Sequence, residues 1–176
     1  MDSMGTALVR LLGISGSPRE ASTAFVIQEG LKYAAKMFNA QTEYFSLQNK
    51  YIKFCIHCDY CVREKKGCVH EDAMVEAYDK IEKADTFIIG TPVYNGSISG
   101  QLKMFLDRCR ALVAKNPRAL ENKVGAGVAV GGDRLGGQGG CRRTGSPLGF
   151  ISTRAFTTEQ ILKFFLRHNR KGSGDS

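Results

Sequence analysis

A chain of 176 residues with 43% hydrophobic and 24% charged residues has the size and composition of one globular domain with a real core. No apolar run approaches the ~20 residues of a membrane span, and residues 1–6 lack a basic stretch leading into an apolar one, so neither a span nor a secretory leader is expected. The net charge of +8 is uneven: residues 139–176 carry seven Lys/Arg against two Asp/Glu, and the preceding part eighteen against fifteen, which argues against a basic nucleic-acid groove through the domain.

Residues 7–14 form a nearly continuous apolar run, the pattern of a strand buried on both faces of a parallel sheet. A small polar loop follows, and then Ile27, Leu31, Ala34, Ala35 and Phe38 at helical spacing. In a strand–loop–helix unit the loop amides and the helix N-terminus favour an anion. Ser15, Ser17, Arg19, Ser22 and Thr23 supply hydroxyls and one cation suited to a terminal phosphate, although Ser22 serving only as a helix cap is the plainer alternative. The loop is neither a Walker loop nor a G-x-G-x-x-G fingerprint.

Residues 41–47 read as a second, less apolar strand nearer an edge. Between it and the next helix, Cys55, Cys58, Cys61 and Cys68 are spaced C-x2-C-x2-C-x6-C. In a cytoplasmic protein, the expected location, thiols stay reduced and such a group means metal or redox work. Three cysteines at two-residue gaps and a fourth beyond suit an iron–sulfur loop better than the paired knuckles of structural zinc, with free, redox-active or disulfide-bonded thiols as the remaining alternatives. His57 is expected to face solvent or to lie behind the ligands.

Residues 71–83 carry Met74, Ala77, Tyr78 and Ile81 at helical spacing, with acids in the first turn. Residues 84–91 form a third buried strand, with residues 92–99 as the loop leaving it. Leu102, Phe105, Leu106, Cys109 and Val113 mark one face of a long helix, which makes Cys109 core filler. Residues 123–130 form a fourth strand that opens into the glycine-rich loop 131–138. Strands alternating with helices over short connections imply a doubly wound α/β sheet with helices on both faces, whose ligands sit beyond the carboxyl ends of the strands. The loops after the first, third and fourth strands all leave that end.

The assembled segments resemble the iron–sulfur flavoproteins, within the flavodoxin-like NAD(P)H-dependent FMN reductases. The resemblance rests on Gly13-Ile14-Ser15-Gly16-Ser17-Pro18-Arg19, the cysteine loop, residues 84–94, residues 96–108 and the loop 131–138, in that order. It implies non-covalent FMN with its phosphate held by Ser15, Ser17, Arg19, Ser22 and Thr23. Pro92, Tyr94, Asn95, Gly96 and Ser97 would flank the ring, and Gly131, Gly132 and Asp133 would add contacts. Cys55, Cys58, Cys61 and Cys68 would ligate a [4Fe-4S] cluster. The resemblance also implies a homodimer or homotetramer, with the cluster of one subunit near the flavin of another.

The expected function is therefore electron transfer between one-electron and two-electron chemistry, with NAD(P)H or a ferredoxin as donor and no hydrolytic constellation. Arg63, Lys65 and Lys66 could dock an acidic ferredoxin, or simply be solvated. One alternative is an FMN-dependent NAD(P)H or quinone reductase without a cluster; another is a zinc-stabilised nucleic-acid-binding domain. Residues 1–138 form the FMN-binding domain, with its cluster loop at 53–70. Residues 139–176 form a divergent C-terminal segment: 139–148 is a poor helix sequence, 149–152 a weak strand, 158–170 a helix with Ile161, Leu162, Phe165 and Leu166 inward, and the last six residues a disordered end.

Overall fold

The computed structural model describes residues 8–131 and the backbone of residues 150–156. Its elements are β1 (Arg10–Ser15), α1 (Ser22–Phe38), β2 (Gln41–Ser46), α2 (Tyr60–Glu64), α3 (Met74–Lys83), β3 (Thr86–Tyr94), β4 (Ser97–Ile98), α4 (Gly100–Arg108), α5 (Arg110–Lys115), β5 (Val124–Gly131) and β6 (Phe150–Phe156). The sheet order is β2-β1-β3-β5-β6, with β4 folded back on β3 as a hairpin.

β1 pairs in parallel with β2 from Arg10↔Gln41 to Ser15↔Ser46 and with β3 from Leu11↔Thr86 to Ser15↔Gly90. β3 continues in parallel with β5 from Thr86↔Val124 to Pro92↔Val130. β6 joins antiparallel, from Gly125↔Phe156 to Gly131↔Phe150, and forms the atypical C-terminal end. β2 lies at the edge and buries only Phe45, as its mixed composition suggests.

Residues of opposite parity on β1 serve opposite faces. Leu12 and Ile14 join Phe87, Met74, Ile81, Leu102 and Phe105 in one core under α3, α4 and α5. Leu11 joins Ile27, Leu31, Val128 and Val130 under α1. Gly13 shares the α1 face, and a Cβ there would meet Ile27 at 2.7 Å and Leu31 at 2.8 Å, so the helix lies against bare backbone.

Three expectations are corrected. Phe38 is 73% exposed, because it lies about 10 Å beyond Leu31 along the helix, level with the start of β1. It makes an edge contact with Tyr33 instead, at a centroid distance of 6.2 Å. The long helix is broken at Cys109, whose N–H is shared between the carbonyls of Phe105 and Leu106 at 3.1 Å each; Cys109 itself is core, 4% exposed. The third strand runs on through Pro92 to Tyr94. Gly90 turns its carbonyl toward the β1 side, where it accepts from Gly16 N–H at 2.7 Å, and Pro92 has the same sidedness. β1 has ended by then, so no ladder needs the N–H that proline lacks.

Candidate functional site

Two loops are tied together at the carboxyl ends of the strands. Besides the Gly16–Gly90 bond, the buried Ser99 hydroxyl donates to Gly16 O at 2.5 Å and accepts from Leu102 N–H at 3.1 Å, capping α4. Thr91 Oγ1 accepts from Ser99 N–H at 3.0 Å and donates to Pro92 O at 2.9 Å. A Cβ on Gly16 would meet Leu102 Cβ at 2.7 Å and Gly90 O at 3.0 Å, so only glycine permits this approach.

Ser15 and Ser17 are buried in the first loop, at 0% and 4% exposure. Ser17 Oγ is occupied locally: it accepts from Arg19 N–H at 3.1 Å and donates to Arg19 O at 2.7 Å. Ser22 does not cap α1. The cap position is Ala21, with no side-chain hydrogen bond, so the first-turn amides of Ser22, Thr23 and Ala24 are left for an external acceptor. Thr23 is buried with its methyl group against Gly90, whereas Ser22 and Arg19 are exposed. Glu20, the one carboxylate in this loop, is drawn away toward β2: Tyr44 and Ser46 hydroxyls donate to it at 3.0 and 2.5 Å. Burial pushes the Tyr44 phenol up, and the Glu20 charge adds to the rise. The geometry suits a dianionic group at the α1 N-terminus.

Beside it, Pro92 is buried and Tyr94 is 39% exposed at the stem of a two-residue turn. Asn95 (φ +50°) and Gly96 (φ +75°) are both left-handed, the geometry of a primed hairpin turn, with Val93↔Ile98 and Tyr94↔Ser97 paired. Gly131 ends β5 at the same edge, while Gly132, Asp133 and the expected helix at 158–170 lie outside the described residues.

The cysteine loop is seated on the α4–α5 break. Arg108 is 1% and the Asp72 side chain 0% exposed, with Nη1–Oδ2 at 2.7 Å and Nη2–Oδ1 at 3.2 Å. Arg108 also donates to Lys53 O at 2.6 Å and His70 O at 3.5 Å, and so holds both feet of the loop. Asp72 accepts from Lys53 N–H at 2.9 Å and Met74 N–H at 3.0 Å. Burial pushes the Asp72 carboxyl up, but the Arg108 fork and these two amides outweigh it and leave it below the ordinary carboxylate range. Only Glu76 stands in the first turn of α3; Asp72, expected inside that helix, precedes it. Farther out, Asp59 Oδ1 lies 2.6 Å from Arg110 Nη2.

The four thiols do not stand alike. Cys55 and Cys58 are exposed, Cys61 and Cys68 half-buried, and none of the described cysteines is in a disulfide. Burial pushes the Cys61 thiol up, Arg110 opposes it, and Cys68 and Cys55 are near enough to add to the rise. Among the described residues, no three His, Cys, Asp or Glu side chains converge as a metal site. Around the loop, however, His70 Nε2, Arg108 Nε, Arg110 Nε and Asp59 Oδ1 are buried with no aligned hydrogen-bond partner among the described residues, so Asp59 and Arg110 meet as a close ion pair. Soft sulfur donors, with the unpaired guanidinium N–H groups of Arg108 and Arg110 at the same loop, are the chemistry that suits a sulfur-rich anionic centre. His57, Arg63, Lys65 and Lys66 are exposed.

Sequence reasoning missed the Arg108–Asp72 and Arg110–Asp59 pairs and the Ser99–Gly16 tie. All link residues distant in the chain, and the only local signal was an arginine placed among the apolar positions of a helix.

An open sheet with an amide-lined loop and a hairpin at its carboxyl edge defines a flavodoxin-like α/β protein. The chain belongs to the NADPH-dependent FMN reductase family, which it matches over residues 9–155. It is 52% identical over 130 residues to an iron–sulfur flavoprotein of Methanocaldococcus jannaschii, a match covering 74% of this chain and 65% of that protein. To an iron–sulfur flavoprotein of Archaeoglobus fulgidus it is 46% identical over 128 residues, covering 73% and 65%. Among solved structures it is similar to an NADH:FMN oxidoreductase in its apo form, with a TM-score of 0.51 and 26% identity over 71% of this chain and 59% of that one. The chain thus spans a little under two thirds of the length of these two relatives. No helix among the described residues is long and apolar enough to cross a membrane.

Proposed function

We propose that the chain is a cytoplasmic FMN-dependent oxidoreductase that carries an iron–sulfur cluster in its cysteine loop and works as an electron-transfer flavoprotein. The observation that carries the reading is the uncapped N-terminus of α1, with buried Ser15 and Ser17 beside it, facing the Tyr94–Ser97 hairpin across the Gly16–Gly90 tie. Ser15, Ser17, Arg19, Ser22 and Thr23 would hold the FMN phosphate, the first-turn amides and Arg19 supplying the donors. Pro92, Tyr94, Asn95, Gly96, Ser97 and Gly131 would border the ring; the hairpin would orient it and the buried Pro92 would exclude water from one side. Cys55, Cys58, Cys61 and Cys68 would hold the cluster.

When bound, FMN supplies two-electron chemistry and the cluster one-electron transfer, so that the pair joins the two. The exposed cations Arg63, Lys65 and Lys66 lie beside the cysteine loop and suit an acidic ferredoxin as partner. A homodimer or homotetramer, and use of NAD(P)H, belong to the same proposal.

The test is anaerobic purification, followed by identification of the released flavin and determination of iron and acid-labile sulfide. FMN together with about four irons per chain is expected. Cys61→Ser should lose the iron and retain FMN; loss of both together would mean that the sites are not separate. A second reading is favoured by the ungathered thiols: an FMN-dependent reductase with no cluster. It predicts FMN without iron and full reductase activity in Cys61→Ser. Comparing reduced ferredoxin with NADPH in steady-state assays distinguishes the donors.

A further inference from the structure

The tip of the cysteine loop is tied to Arg110, which lies outside the loop. Asp59 stands at the N-terminal cap of α2, where an aspartate ordinarily accepts from the helix amides. Here it makes no such bond and turns its carboxylate to Arg110 Nη2 at 2.6 Å. Its backbone is left-handed (φ +56°), as is that of His57 (φ +53°), so Cys58 sits between two residues in a conformation that L side chains rarely adopt. Such a turn persists only where its surroundings hold it. Arg110 is a suitable anchor: it is in the first turn of α5, its side chain is 21% exposed, and its Nε is buried without a partner. Arg108 secures the feet of the loop at Lys53, His70 and Asp72, which leaves the tip to Arg110.

We infer that Arg110 is a positioning residue for the metal centre: through Asp59 it fixes the turn between Cys58 and Cys61, and it brings a positive charge beside that turn. This rests on the proposed cluster reading. Removing Arg110 frees the turn and also removes a cation, which disfavours the reduced, more negative centre; removing the Asp59 charge frees the same turn but leaves the cation uncompensated. The two changes therefore agree in one property and oppose each other in another.

The test compares wild type, Arg110→Gln and Asp59→Asn. Asparagine keeps the size of aspartate and tolerates the left-handed backbone, so Asp59→Asn remains informative if Arg110→Gln folds poorly. After anaerobic reconstitution, both variants should lose iron to excess chelator about tenfold faster than wild type. The reduction potential should fall in Arg110→Gln and rise in Asp59→Asn, a sign reversal that a purely structural defect does not produce. Iron loss and potential unchanged in both variants, or potentials moving in the same direction, overturn the inference. Amide exchange over residues 55–68 in the metal-free chain separates it from the cluster reading. If wild type binds no iron, the cluster reading fails; exchange that is faster in Arg110→Gln still upholds the anchoring of the turn, and unchanged exchange overturns it.

Discussion

Replacing Asp72 with Asn should be among the most damaging isosteric changes in the molecule. The carboxylate is 0% exposed, is bridged to Arg108 at 2.7 and 3.2 Å, and accepts two backbone amides at 2.9 and 3.0 Å. Asn keeps the volume and one acceptor oxygen, but it removes the only ionic counter-charge, among the described residues, of a guanidinium that is 1% exposed. Breaking one partner of a buried pair costs about 3–5 kcal/mol, because the remaining charge stays desolvated and unpaired. Against a typical stability of about 5–15 kcal/mol, that is roughly a fifth or more of the whole. At about 2–4 °C per kcal/mol for a chain of this length, the melting temperature should fall by roughly 6–20 °C. Arg108→Met should cost a similar amount, since it leaves the Asp72 carboxylate and the carbonyls of Lys53 and His70 short of a donor. The double variant should lose clearly less than the sum of the two, because each single change already breaks the same pair. Urea melts of the four proteins at neutral pH measure this cycle. A loss under about 1 kcal/mol in Asp72→Asn, or strict additivity, would show that the pair does not hold the loop.

The same pair carries an acid limit. The folded Asp72 carboxyl titrates below its ordinary value, so its contribution is complete above about pH 4 and is lost as the pH falls through that lower folded value. The stability gap between wild type and Asp72→Asn should therefore narrow only on the acid side of pH 4, and urea melts showing a constant gap from pH 7 to the acid limb would contradict this. Gly16→Ala places a methyl group 2.7 Å from Leu102 Cβ and 3.0 Å from Gly90 O. It should cost about 1–3 kcal/mol and weaken flavin retention by separating the two loops; an unchanged melt with full flavin content would refute the tie.

The doubly wound architecture was legible because its signals are local and repeated. Apolar runs marked β1, β3 and β5, and a 3.6-residue period marked α1 and α3, each confirmed by the buried faces. The convergence of the loops after β1 and β3 followed from topology alone, and the Gly16–Gly90 and Ser99–Gly16 bonds bear it out. Periodicity failed at Phe38, because it reports which side of a helix faces the sheet and not where the sheet stops. It failed again at Cys109, because an apolar stripe continues across a helix break when both halves pack on one core. The third strand is expected to end at residue 91, whereas it runs on through Pro92, because β1 has already ended on the side that the proline nitrogen faces. The cysteine spacing revealed a donor set, whereas the arginines that seat it come from more than thirty residues away in the chain, beyond the reach of any window.

That seating spans the helix break. Along a helix, residues two apart point to nearly opposite sides, so Arg108 and Arg110 reach the loop from different sides. At Cys109 the backbone turns with φ −61° and ψ −13°, the helical ladder loosens into shared bonds, and α5 restarts at Arg110. The carbonyl of Arg108, at the end of the α4 ladder, accepts from the Tyr78 hydroxyl at 2.8 Å, so the break leaves no orphan there. Arg108 is then turned inward to the feet of the cysteine loop and Arg110 outward to its tip. Cys109, buried between them, anchors both to the core that positions the strands. The break thus joins the packed core to the cysteine loop, with Arg108 at the feet of the loop and Arg110 at its tip.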